Sequence, residues 1–208
     1  MNLRTRLRQG LVAIDLPLDD TQVGKLLDYL ALLGKWGKRF NLTAITDPEK
    51  MLYYHLLDSL AIYHSVKSAG CALDVGSGAG LPGLPLAIAM PDSKWTLLDS
   101  NGKKTRFLQQ ALAHCNINNA AVVQSRVEDY HAAEPFDIIV SRAFAGLSSF
   151  VASVEHLWQS ETRVLTMKTS LGSVEASALD STRYLIEETR LQVPGISSNR
   201  SLVTLRQR

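Results

Sequence analysis

Apolar residues along the chain follow two rhythms. Up to about residue 68 they recur at three- and four-residue spacing, as in DDTQVGKLLDYLALLGKWGKRF, the period of helices that bury one face. Asp19 or Asp20 stands where the N-cap of that helix belongs. A further helix start is written in TDPEKMLYYHLLDSLAIYHSV. Asp47 supplies a cap acceptor, Pro48 has its φ already set for the first turn, and Glu49 follows. From residue 71 short apolar runs alternate with helical stretches. Strands are predicted near 71–75, 94–99, 120–125, 136–141 and 162–168, and helices near 82–90, 102–116, 127–131 and 147–158. The alternation predicts an α/β fold with a mostly parallel sheet and helices on both faces. A helix near 173–180 and two closing strands, RYLIEETRLQVP and RSLVTLRQR, joined at Pro194-Gly195, complete the expectation. The organisation is an N-terminal helical subdomain, residues 1–68, and one compact sheet domain, residues 69–208.

The chemistry begins where the first strand ends. In ALDVGSGAGLPGLPLAI, glycines fall at alternate positions, Gly76, Gly78 and Gly80. Bare backbone there permits a tight turn and lets a ligand lie against the chain, at the strand ends where parallel sheets bind ligands. The next strand, KWTLLDS, ends in Asp99, nineteen residues after Gly80. An acid at that position can accept hydrogen bonds from both hydroxyls of a ribose. Loop and acid together predict a nucleoside site. The dinucleotide fingerprint requires a glycine where Leu81 stands, and no GK[ST] occurs, so neither a dinucleotide nor a nucleoside triphosphate fits. The pattern D-x-G-x-G-x-G, Asp74 through Gly80, resembles instead the first motif of class I (Rossmann-like) S-adenosylmethionine-dependent methyltransferases. In that reading Asp74 orients the methionine ammonium through water or backbone; its alternative is a strand-end residue with no ligand role. Val127 and Glu128, after the third strand, face an adenine edge, or Glu128 is simply an acid at a helix N-terminus.

The fourth strand ends in Ser141-Arg142-Ala143-Phe144. Enzymes that methylate exocyclic amines usually carry an (N/D)-P-P-(Y/F/W) acceptor there, and those that modify C5 of pyrimidines need a cysteine nucleophile. Cys71 starts a strand and Cys115 ends a helix, so both read as small core residues. A nucleophile with its own free lone pair, such as N7 of guanine, needs neither device. An arginine stacked on a ring that gains positive charge would oppose the reaction, which gives Arg142 to the cofactor carboxylate or to an RNA phosphate. Phe144 is either a stacking partner for a base or a core aromatic.

Composition adds limits. The net charge of +2 does not by itself require a nucleic-acid partner. It permits one through clusters such as Lys35, Lys38 and Arg39, or Lys103, Lys104 and Arg106, which solvated helix faces also show. Two cysteines and five scattered histidines make no metal spacing, so no metal is expected. There is no long apolar run for a membrane span, and the expected compartment is the cytoplasm.

Five segments occur in order: KWGKRFNLTAITDPEKMLYYHLLDSL, LDVGSGAGLPGLPLAI, TLLDSNGKKTRFL, QSRVED and DIIVSRAF. Together they closely resemble the small subunit ribosomal RNA methyltransferase G family, also called glucose-inhibited division protein B, from about Trp36 to Val203. The resemblance implies transfer from S-adenosylmethionine to N7 of one guanosine in the 530 loop of 16S rRNA, with the rRNA or the 30S subunit as partner; separately, a monomer is expected. It implies cofactor contacts from Gly76, Leu81, Val127, Glu128 and Arg142, with Asp99 near the ribose. Arg126, Arg142, Lys168 and Arg200 would form a basic rim facing RNA. The late segments MKT and NRSLVTL depart from the family's LKG and RHLVVI around Lys168 and Arg200. Three other functions stay open on the residues: a methyltransferase for another RNA, a small molecule or a protein; a non-catalytic RNA-binding ribosome-assembly factor; and a nicotinamide oxidoreductase, disfavoured by Leu81.

Overall fold

The first three N-terminal helices each begin at a side chain that answers the unpaired amides of a first turn. A computed structural model describes residues 2–40, 42–142, 146–169 and 179–208, and for Lys38 and Arg39 the backbone alone. Helix α1 (Leu3–Ala13) is capped by Asn2, which accepts from the Thr5 amide. At α2 (Asp20–Phe40) the cap is Asp19: its carboxylate accepts from the Gln22 amide at 2.7 Å, and the Gln22 side chain accepts in return from the Asp19 amide at 3.0 Å. Asp47 caps α3 (Pro48–Met51) by accepting from the Lys50 amide at 2.8 Å. The chain then runs through a π-helical turn (Leu52–Leu57) into α4 (Asp58–Leu60) and α5 (Tyr63–Val66).

The second part interleaves β1 (Cys71–Val75), α6 (Gly83–Ala89), β2 (Lys94–Asp99), α7 (Gly102–His114), β3 (Ala120–Gln124), β4 (Ile138–Arg142), α8 (Leu147–Val154), β5 (Arg163–Lys168), β6 (Tyr184–Arg190) and β7 (Ser201–Gln207). Among the described residues they make one seven-stranded sheet in the order β3-β2-β1-β4-β5-β7-β6. The first five strands are parallel, and β7 runs antiparallel to both β5 and β6. The predicted closing hairpin is present, with Gly195 at φ +76° in the 191–200 connection. The helix expected near 127–131 is only one 3-10 turn, Val127–Asp129. Tyr130 there turns to extended backbone, and Tyr130 and Phe136 pack into the core instead of continuing a helix. The helix expected near 173–180 falls largely on residues outside those described.

Alternation along the strands splits the interior into two layers. Ala72, Leu97, Ile138, Val140, Leu165 and Leu202 face α1, α2, the π turn, α6 and α7, where Leu7, Leu26, Tyr29 and Phe107 complete one core. Leu73, Leu98, Ile139, Val164 and Leu205 face the other way, against Phe150 and Val154 of α8. The N-terminal helices thus share a core with the sheet. Polar bonds bind α2 to the β1–α6 unit: the buried Tyr29 hydroxyl donates to Ala79 O at 2.7 Å, and the Gln22 side-chain amide donates to Ile88 O at 3.0 Å and Ala89 O at 3.4 Å.

Candidate functional site

Strand order reverses between β1 and β4, and the carboxyl ends of the strands beside such a reversal are where open α/β sheets bind ligands. The glycine turn follows β1. Gly76, Gly78 and Gly80 have φ of +69°, +59° and +94°, the left-handed region that side chains disfavour. A Cβ on Gly76 would meet nothing within 4 Å, so this glycine opens onto free space; one on Gly80 would strike Leu108 and Leu84. The turn is pinned by the Gly76 and Ser77 amides, which both donate to Leu98 O, at 2.8 and 3.0 Å.

Asp99 ends β2 almost fully buried. Its Oδ2 accepts from the Gly78 amide at 2.9 Å and its Oδ1 from the Asn101 amide at 2.8 Å, with Lys104 Nζ 3.6 Å from Oδ2. Each carboxylate oxygen has a second lone pair to offer. Gly76, Asp99, Arg126, Val127 and Glu128 line one cavity of about 330 Å3 with Ser100, Lys104 and Ser125. Its volume sits at the small end of the roughly 300–1,000 Å3 typical of ligand sites. Lys104 and the two serines were not anticipated. Lys104 was noted only as part of a basic cluster; its place one helical turn after Asp99 was the available signal.

Asp74 lies elsewhere. It is wholly buried beneath the turn, where Oδ2 accepts from the Gly83 amide at 2.9 Å while Oδ1 has no partner. Leu81 is buried in the core, and its amide donates to Ser77 O at 2.9 Å. Both shape the turn from behind, and Gly78 and Gly80 do so through Asp99 and through packing.

Four basic residues lie at the same end of the sheet, where the parallel strands finish. Arg126 follows β3, Arg142 ends β4, Lys168 ends β5, and Arg200 precedes β7. The register sets Arg142 beside Met167 and Lys168 beside Ser201, so these three sit at one height although 58 residues separate the first from the last. Arg126 is exposed and Lys168 half-buried. Arg142 and Arg200 are both drawn toward the N-terminal helices. Arg142 Nη1 donates to Tyr54 O at 3.0 Å and lies 3.3 Å from Asp58 Oδ2, while Arg200 Nε donates to Asp58 Oδ1 at 2.9 Å. In the sequence, Asp58 stood only within the segment KWGKRFNLTAITDPEKMLYYHLLDSL, with no role assigned to it. A carboxylate within the apolar run LLDSL was the signal. Phe144 lies outside the described residues.

Behind this end two titratable groups are buried with opposite consequences. Burial pushes the Asp74 carboxyl up to about 7, against the Gly83 amide, Ser77 and Arg142, which favour its charged form. Burial, and then the Arg142 cation, push His55 down to about 4. Asp74 is therefore stabilising in its protonated form, a contribution complete below its unfolded value near 4 and lost as pH rises to about 7. His55 is stabilising when neutral, a contribution complete above about 6.5 and lost as pH falls toward 4. Across pH 4–6.5 the two slopes oppose each other. Asp74→Asn is expected to gain stability relative to the parent as pH rises from 4 to 7, by a few kcal/mol at about 1.36 kcal/mol per pKa unit. Urea midpoints at pH 4.5 and 7.5 check this, and a difference that does not change between them rejects it.

A mostly parallel sheet carrying a glycine turn, and after it an acid at the end of the next strand, defines a class I methyltransferase fold, and the methyl donor is S-adenosylmethionine. Solved structures agree on the fold. A putative O-methyltransferase from Klebsiella pneumoniae superposes with a TM-score of 0.62 at 11% identity, covering 99% of both chains. Precorrin-6y C5,15-methyltransferase from Geobacter metallireducens gives 0.56 at 14%, covering 73% of this chain and 87% of its own. The chain belongs to the rRNA small subunit methyltransferase G family, whose model matches residues 22–203. A ribosomal RNA small subunit methyltransferase G from Nitrosococcus oceani is 47% identical over 202 residues, 97% of this chain and 94% of its own. Its counterpart from Pseudomonas aeruginosa is 47% identical over 200 residues, 96% and 94% respectively. Among the described residues no group of three His, Cys, Asp or Glu could hold a metal ion, and no helix is long and apolar enough to cross a membrane.

Proposed function

We infer that this methyltransferase of small subunit rRNA modifies N7 of a guanosine in the 530 loop of 16S rRNA. The observation that carries the choice of atom is the make-up of the sheet end beside the cleft. Cys71 opens β1 at the opposite end of the strand, and Cys115 caps α7. Asp58, the acid among the arginines there, is engaged by two guanidiniums, and the segment after β4 reads Ala143-Phe144-Ala145, without an amide or acid acceptor. Among the described residues of this sheet end no cysteine nucleophile and no unengaged acid is offered for an amine proton, which suits an acceptor atom with a free lone pair.

S-adenosylmethionine, when bound, supplies an electrophilic methyl group on a sulfonium. The residues fit such a ligand: Gly76 leaves open space at the turn, Asp99 presents a buried carboxylate for the ribose, and Val127 and Glu128 stand at the far wall for the adenine. The chain's remaining tasks are to align the acceptor at roughly 3–3.5 Å and to exclude water. Arg126, Arg142, Lys168 and Arg200 are read as the rim that holds RNA phosphates. The test uses 16S rRNA from cells lacking this protein, naked and in 30S subunits, with labelled methyl donor and digestion to nucleosides. Label in 7-methylguanosine is expected. Label only in another nucleoside, or none in either RNA with donor binding intact, overturns the assignment.

A further inference from the structure

The π-helical turn Leu52–Leu57 and the aspartate after it form a clamp on two arginines that lie 58 residues apart in the sheet domain's sequence. Asp58 is almost fully buried, with its side chain 6% exposed, and its two oxygens divide between partners: Oδ2 lies 3.3 Å from Arg142 Nη1, and Oδ1 accepts from Arg200 Nε at 2.9 Å. The same turn contributes twice more. Tyr54 O accepts from Arg142 Nη1 at 3.0 Å, and the Tyr54 ring lies 6.0 Å beneath the Arg200 guanidinium. A π turn carries one more residue than an α turn, a device that occurs mostly as a local insertion and often at functional sites. Here one such turn brings a carbonyl, a ring and, at its end, a carboxylate to two cations.

We propose that Asp58 is a positioning residue for the RNA substrate: it holds Arg142 and Arg200 as a fixed pair at the sheet end, so that both guanidiniums meet the phosphate backbone next to the nucleotide to be methylated. The proposal rests on reading these arginines as phosphate contacts. Two guanidiniums side by side repel each other, and each sits on a long, freely rotating side chain. One buried carboxylate between them offsets the repulsion and fixes their spacing. Arg200 is held further by Ser198 Oγ and Asn199 O, at 3.0 and 2.9 Å from its Nη1, so the clamp reaches from the π turn to the start of β7. The cluster of one acid and two bases keeps a net positive charge for an anionic partner. A carboxylate whose only task was stability would be an inefficient choice, because a buried ion pair is commonly no better than an apolar replacement of the same volume.

Asp58→Asn keeps the shape and removes the charge. It is expected to raise KM for 16S rRNA substrate about ten-fold, the scale of losing well-placed hydrogen bonds to a charged group, while the Kd of S-adenosylhomocysteine stays within two-fold. In an Arg200→Ala background the same substitution is expected to raise KM at most three-fold, because half of what Asp58 positions is already gone. Should the amide variant not fold, as judged by near-UV circular dichroism, Asp58→Glu displaces the charge without removing it and carries the same expectation. A folded Asp58 variant with unchanged KM overturns the proposal, as does a rise that is equally large with and without Arg200. A parent enzyme that transfers no methyl to 16S rRNA overturns the substrate reading and the proposal together, whereas an active parent with an unmoved variant overturns the proposal alone.

Discussion

Asp99→Ala is expected to weaken binding of S-adenosylhomocysteine by about 10- to 100-fold, equivalent to the roughly 1.5–3 kcal/mol that hydrogen bonds to a charged group contribute. Two losses combine. The ribose hydroxyls lose their carboxylate, and the glycine turn loses the acceptor that holds the Gly78 amide at 2.9 Å. Asp99→Asn keeps one carbonyl acceptor and is expected to fall between the parent and the alanine variant. Isothermal titration of the folded variants decides the matter. An alanine variant that binds within two-fold of the parent would remove Asp99 from the cofactor site.

Gly83→Ala carries the largest expected cost to stability of any single methyl group considered. A Cβ at that position would stand 2.6 Å from both Asp74 Oδ2 and Leu97 Cδ2, and 2.8 Å from Asp74 Cβ. These neighbours are themselves buried and belong to β1 and β2, so neither can swing away. Overpacking of this kind costs about 1–3 kcal/mol, and displacing Asp74 from the Gly83 amide leaves a buried carboxyl without its donor for about 1–3 kcal/mol more. For a chain of this size about 1 kcal/mol lowers Tm by 2–4 °C, so the combined cost of about 2–6 kcal/mol corresponds to a drop of roughly 4–24 °C. A calorimetric Tm within 2 °C of the parent would show that the turn accommodates the methyl group and that Asp74 is not clamped as described.

What could be read from the sequence was local. Asp47 followed by Pro48 fixes a helix start within four residues, and the cap is present as predicted. Asp99 was found by its distance from a glycine turn, a spacing set by one β–α–β unit. Relations that close over long stretches of chain were not legible. Asp58 meets Arg142 and Arg200 across 84 and 142 residues, and no periodicity encodes such a meeting. The π turn escaped for another reason: one extra residue in a single turn shifts the apolar rhythm too little to register. The expected helix after Arg126 shortened because Tyr130 and Phe136 bury better as part of the second core layer than as one face of a short helix. The four basic residues were grouped through the family resemblance, and the strand register supplies the physical reason that Arg142, Lys168 and Arg200 sit at one height. Asp74 was placed correctly at the end of a strand, and its burial behind the turn could not be inferred from the motif alone.

The position of β7 has a consequence for how the molecule is made. It is the last strand in sequence order, yet it lies inside the sheet, between β5 and β6. During synthesis at about 5–20 residues per second, β6 emerges before the strand that will pair with it, and β5 waits with one edge open. Until Ser201–Gln207 leaves the ribosome, the nascent chain carries two unsatisfied ladders, and Arg200 has not yet reached Asp58. Arrival of Ser201–Gln207 therefore closes the sheet and the arginine clamp in a single event.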